Sequence, residues 1–160
     1  MLSTKDLNTE KNSAEKEKTL SPSISTSQVD TTPETRKFFV YGTLKVGGAL
    51  ASRPVEELRL DVEPAVLEGY DLYNLGWFPG IIPGDGKVYG ELHEYADPET
   101  IYAVLDQIEG YRPNSPAHSL FVRKEVVAYV DGHEVECEVY VYNQNLYANH
   151  TKIEDGIWPI

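Results

Sequence analysis

Apolar residues fall into short strand-like runs and one helical stripe, all downstream of residue 37. Phe38-Phe39-Val40-Tyr41 is an unbroken apolar run that stops at Gly42, the pattern of a buried strand. Val135, Cys137, Val139 and Val141 alternate with Glu134, Glu136, Glu138 and Tyr140. That period of two predicts a strand over 134–142 with one buried face and one wet face. Asp131-Gly132 joins it to a strand over 121–130 as a hairpin. Residues 65–73 read as a strand interrupted by Gly69, and 88–95 read as another. Between them Gly76, Pro79, Gly80, Pro83, Gly84 and Gly86 predict a loop over 74–86. Ile101, Val104, Leu105 and Ile108 repeat at helical spacing. Asp97 is placed to cap that helix, Pro98 suits its first turn, and Gly110 stops it, giving a helix over 98–109. Several strands with one clear helix predict an α+β fold, a small mixed β-barrel with flanking helices.

Composition divides the chain. Residues 1–37 hold no aromatic residue and 13 Ser or Thr, and their six basic and six acidic side chains cancel. Such a segment cannot offset the entropy of ordering itself, so 1–36 is expected to be a disordered tail and 37–160 the folded domain. The tail has no apolar signal-peptide core, and its acidic residues argue against a transit peptide. The whole net charge of −12 therefore sits on the domain. That balance excludes a broad nucleic-acid footprint and docking on an anionic membrane. The single cysteine, Cys137, excludes an internal disulfide and any multi-cysteine metal site. On the apolar face of its strand it reads as an inert buried thiol.

Few residues remain for chemistry. His93, His118, His133 and His150 lack the spacing of helical metal ligands, and His133 falls in the hairpin turn, so no metal is expected. The glycines after Tyr41 match neither a phosphate loop nor a dinucleotide fingerprint. The sharp exit Tyr41-Gly42-Thr43-Leu44 is either an ordinary tight turn or a cradle of backbone N–H groups able to hold an anion, with Gly42 supplying unusual backbone angles. Glu109 ends the helix beside Leu105 and Ile108. It is either a plain surface glutamate or a carboxyl turned to the apolar stripe, where burial and the negative helix end raise its proton affinity. Asp106 is either its helper or an exposed helix residue.

Five segments in order carry a resemblance: Phe39 to Lys45, Gly69 to Tyr73, Phe78-Pro79-Gly80, Val88 to Leu92, and Leu105 to Tyr111. Phe121-Val122-Arg123 and Val139 to Tyr142 continue it. Together they resemble the gamma-glutamylcyclotransferase-like family, of the gamma-glutamylamine cyclotransferase type, over about residues 38–143. The resemblance implies a small barrel with flanking helices and an enzyme of the lyase or acyltransferase class. The free α-amine of a gamma-glutamyl amide attacks its own side-chain carbonyl, giving 5-oxoproline and releasing an amine or amino acid. It assigns Glu109 as the acid/base and Tyr41, Gly42, Thr43 and Leu44 as the substrate-holding turn. It implies no cofactor, a small gamma-glutamyl substrate as sole partner, and a monomer in the cytoplasm.

The chain departs from that pattern at two places. Phe121 stands where many members carry Tyr, and Tyr111 is expected to replace the missing hydroxyl. Val46-Gly47-Gly48-Ala49 stands where relatives often carry polar residues. Arg123, which the resemblance places among the substrate-binding residues, is either a partner for a carboxylate or a strand residue exposed to water. The Phe121 departure also supports a second expectation, a non-catalytic module that binds a small carboxylate or glutamyl ligand on the same scaffold. A lyase or transferase acting on another small amide is a third.

Overall fold

The structure is a computed structural model that describes residues 33–45, 47–48 and 53–159. The strands are β1 (Thr35–Val40), β2 (Arg59–Asn74), β3 (Pro79–Ala96), β4 (Phe121–Val130), β5 (His133–Tyr142) and β6 (Thr151–Lys152). Two α-helices, α1 (Arg53–Leu58) and α2 (Pro98–Glu109), and a 3-10 turn at Pro116–His118 complete the elements. The sheet order is β3-β1-β5-β4-β2-β6, and β2 also pairs with β3, so five strands form a ring. The β1–β5 pairing is parallel and all others are antiparallel, which makes the sheet mixed. Two seams are single bridges, Phe38 to Glu138 and Val66 to Tyr129. The ring is therefore less continuous than the expected barrel, within the expected α+β class.

Alternation along β1 explains its unbroken apolar run. Phe39 and Tyr41 face a core inside the ring, with Leu67, Leu72, Ile81, Val88 and Val139. Phe38 and Val40 face a second core with Val55, Tyr95, Ile101, Leu105 and Tyr140. A strand covered on both faces has no polar period. Tyr140 shares this fate: the expected wet face of β5 is dry there, because Phe38 stacks on the Tyr140 ring at 6.0 Å. Cys137 is a buried free thiol, as its position on β5 suggested.

α2 runs from Pro98 to Glu109, with the Asp97 carboxylate accepting from Thr100 N at 3.4 Å. Gly110 closes it at φ 68°, a left-handed conformation that disfavours any side chain, and its N–H bonds back to Asp106 and Gln107 carbonyls. Ile101 and Leu105 are fully buried under the helix.

Three expectations are corrected. The loop predicted over 74–86 is only a turn at 75–78, because β3 begins at Pro79 and pairs with β2 through Asn74–Pro79 and Tyr70–Pro83. Its prolines are tolerated because β1 pairs only with 91–96, so this stretch has a ladder neighbour on one side alone. His133 is the first residue of β5, paired with Val130, and not a turn residue. β1 begins at Thr35, which pairs with Ala96, so the sheet starts before the expected boundary at residue 37. Residues 1–32 of the expected tail lie outside the described residues. The six-residue α1 went unrecognised because so short a helix shows no periodicity.

Leu105→Ala should cost about 2–5 kcal/mol, the usual range for emptying a buried leucine site. Urea unfolding of the two proteins measures it; a loss below about 1 kcal/mol would mean that α2 is not held by this contact.

Candidate functional site

The chain leaves β1 through a tight turn. Lys45 N–H bonds Gly42 O at 2.9 Å, and Gly48 N–H bonds Lys45 O at 2.7 Å. Among the described residues, no hydrogen bond uses the N–H of Gly42, Thr43 or Leu44. Gly42 is required for a reason other than the one expected. Its φ is not positive; instead a Cβ there would sit 2.3 Å from Pro79 Cγ. The turn thus packs directly on the start of β3. Lys45 is buried, and its ammonium donates to the Trp158 carbonyl at 2.8 Å, tying the turn to the C-terminal segment.

A cavity of about 260 Å³ opens beside this turn. Tyr41, Gly42, Thr43 and Leu44 form one wall, Ile108 and Glu109 another, and Phe78, Pro79 and Phe121 a third. The walls are mostly apolar, as in small-ligand sites generally. Glu109 reaches it because the last turn of α2 lies over the sheet, its neighbours Leu105 and Ile101 sunk in the second core. Among the described residues the Glu109 carboxyl has no hydrogen-bond or ion-pair partner. Burial pushes its pKa up from 4.5 to about 8. Burial, and secondarily the Glu109 carboxylate, raises the Tyr41 phenol well above its ordinary value. Near neutral pH this carboxyl exists in both protonation states, as a group that takes and returns a proton must.

Tyr41 lines the cavity, but its hydroxyl donates to the Tyr140 carbonyl at 2.7 Å and pins the end of β1 to β5. Tyr111 and Arg123 are not among the cavity-lining residues. Arg123 Nη1 donates to both Asp106 carboxylate oxygens, at 2.7 and 2.8 Å, and its Nε lies 3.1 Å from Glu138. Its guanidinium sits over the Tyr102 ring at 4.2 Å and the Tyr111 ring at 5.2 Å. Of the two readings of Arg123, partner for a carboxylate or exposed strand residue, the structure shows the first, with the protein's own Asp106 and Glu138: it is a partly buried clamp between α2 and the β4–β5 hairpin. Tyr111 packs on that clamp, so it does not replace the hydroxyl missing at Phe121. Asp106 is neither helper nor exposed, since it also accepts from the Tyr140 hydroxyl at 2.6 Å.

The family model described as gamma-glutamyl cyclotransferase, AIG2-like, matches residues 38–159. The chain belongs to that family. A curated relative, the gamma-glutamylcyclotransferase family protein ytfP of Citrobacter rodentium, is 27% identical over 122 residues, spanning 76% of this chain and 94% of the relative. The solution structure of ytfP from Escherichia coli superposes with a TM-score of 0.55 at 26% identity, covering 76% of this chain and 95% of that one. YkqA from Bacillus subtilis superposes with a TM-score of 0.58 at 24% identity, covering 78% of this chain. It shows the fold alone, and the match spans 40% of YkqA.

On this family scaffold, the cavity residues that sequence reasoning did not assign to the site include Trp77, Phe78, Leu120 and Tyr140. Trp77 had a signal: a tryptophan between Gly76 and Phe78 in a turn-forming stretch. Leu120 had none, since it is brought in by the chain that follows the 3-10 turn.

Arg123→Met should lower stability by about 1–3 kcal/mol, because it leaves Asp106 and Glu138 without their charged donor. If Arg123 instead held substrate, the same change would raise KM and leave the urea midpoint unmoved.

Proposed function

We propose that the protein converts a gamma-glutamyl amide to 5-oxoproline and a free amine, with Glu109 as acid/base. One observation carries the reading: an unpartnered carboxyl with its pKa raised to about 8 shares an apolar cavity with a turn whose amides are unused. Family membership over residues 38–159 supports the reaction class.

Glu109 as carboxylate takes a proton from the substrate's α-ammonium. The freed amine attacks the side-chain carbonyl carbon, forming a C–N bond and an oxyanion. Backbone N–H groups of Gly42 to Leu44 suit either that oxyanion or the substrate α-carboxylate. Glu109 returns its proton to the amide nitrogen as the old C–N bond breaks, then takes the second proton from the ring nitrogen, and the amine leaves as ammonium once it picks that proton up. The step conserves protons and needs no redox equivalent. Holding the chain bent toward its own carbonyl supplies much of the rate, since ring closure is intramolecular. This reading also has the protein acting as a monomer in the cytoplasm without a cofactor. No helix of the described residues is long and apolar enough to cross a membrane.

The second reading, a binding module, draws on Phe121, a cavity residue without a hydroxyl to offer substrate. Saturable binding of a gamma-glutamyl compound with no 5-oxoproline release would select it.

Glu109→Gln should lower kcat by about 10²–10⁴-fold, the usual contribution of a positioned acid/base. Full activity in that variant, followed by 5-oxoproline release, would remove the assignment. The free enzyme must present the carboxylate, so kcat/KM should rise with pH through about 8. Stability should move the other way. A carboxyl whose folded pKa exceeds its ordinary 4.5 binds its proton more tightly in the native state, so the wild type loses stability as pH rises from 4.5 to about 8. Glu109→Gln lacks this loss, and its urea midpoint should exceed that of the wild type above pH 8. Parallel pH curves for the two proteins would contradict the burial of the carboxyl.

A further inference from the structure

The turn between β2 and β3 holds a tryptophan in water. Trp77 is 93% exposed, yet it borders the cavity. The turn beneath it is well fixed: Leu75 N–H bonds Phe78 O at 3.0 Å, and Gly76 N–H bonds the Asn74 side chain at 2.8 Å. Leu120, 39% exposed, also borders the cavity, with Phe78 and Phe121. Trp77 and Leu120 thus give the cavity mouth an apolar rim open to solvent, beside the cavity wall of Phe78 and Phe121.

The polar groups of the cavity narrow what that rim can meet. Among the described residues, Glu109 is the sole acidic or basic side chain lining it. The Tyr140 hydroxyl is committed to Asp106 and the Tyr41 hydroxyl to the Tyr140 carbonyl. Arg123, the cation that sequence reasoning offered for a carboxylate, is held by Asp106 and Glu138. Among the described residues no lysine, arginine or histidine lines the cavity, and the chain's net charge of −12 repels an anion. The turn amides suffice for one carboxylate at most, and the glutamyl unit brings its own.

Resting on the cyclotransferase reading, we propose that the departing amine carries a flat, uncharged apolar substituent with no carboxylate, and that Trp77 stacks on that substituent at the cavity mouth. Trp77 is then a specificity residue: it reads the leaving group, while Glu109 and the turn after β1 read the glutamyl unit.

Three substrates separate these elements: the gamma-glutamyl amides of phenethylamine, phenylalanine and methylamine. The first two differ by one carboxylate, and the first and third by a benzyl group. The wild type should favour the phenethylamine compound about tenfold in kcat/KM over each of the others. Trp77→Ala should narrow the phenethylamine-to-methylamine ratio, and Trp77→Phe should restore most of it. Equal turnover of the phenylalanine compound, or a ratio that Trp77→Ala does not change, overturns the proposal. If none of the three releases 5-oxoproline, the reaction assignment fails, and recognition is then read by binding. Trp158→Phe leaves Trp77 as the sole tryptophan of the two in the chain. Its fluorescence should be quenched saturably by the phenethylamine compound, at lower concentration than by the phenylalanine one. No quenching, or equal quenching, overturns the recognition independently of the chemistry.

Discussion

One carboxyl group held away from water without a partner governs this structure. Among the described residues Glu109 has no hydrogen-bond or ion-pair partner in its mostly apolar cavity, and its proton offsets the loss of hydration. Such a group is a cost to folding whenever it is charged. The fold tolerates it only because the elements on both sides are fixed by other means. Leu105 and Ile101 bury the body of α2, Gly110 ends the helix directly after Glu109, and Asp106 locks to Arg123 one turn earlier. Each of these holds the backbone of α2, so the glutamate cannot swing its helix into solvent to escape.

The opposite wall depends on a different constraint, which is space. Gly42 lets the turn after β1 press against Pro79, and the Tyr41 hydroxyl ties the same point to β5. Lys45 reaches the Trp158 carbonyl and fastens the far side. The cavity is therefore bounded by three elements that are anchored separately: a helix end, a strand exit and a hairpin. A loss at any one changes the site's geometry before it changes the fold.

What the sequence revealed follows from which signals are local. The helix bounds at Pro98 and Glu109 were legible because capping and termination are encoded in adjacent residues, Asp97 and Gly110. The spacing of Glu109 to Leu105 and Ile108 left a surface glutamate and a carboxyl turned to the apolar stripe both open, and its half-buried place in the cavity depends on what packs opposite. The strand at Pro79–Gly86 was hidden, because proline and glycine signal a turn unless one knows that the stretch has a neighbour on one side only. The roles of Arg123 and Tyr140 were hidden for a related reason. Both are decided by partners far along the chain, Asp106 and Phe38, and no local pattern names them. Tyr140 looked wet from its alternation with valines, and it is dry because a second core lies on that face.

The account stands or falls on the protonation of one side chain, and that is directly measurable. With glutamate labelled by carbon-13 at the carboxyl, the NMR shift of Glu109, assigned by its absence in Glu109→Gln, can be followed across pH in the intact protein. The account predicts a midpoint near 8. A midpoint near the ordinary 4.5 would show a hydrated surface carboxyl and contradict it.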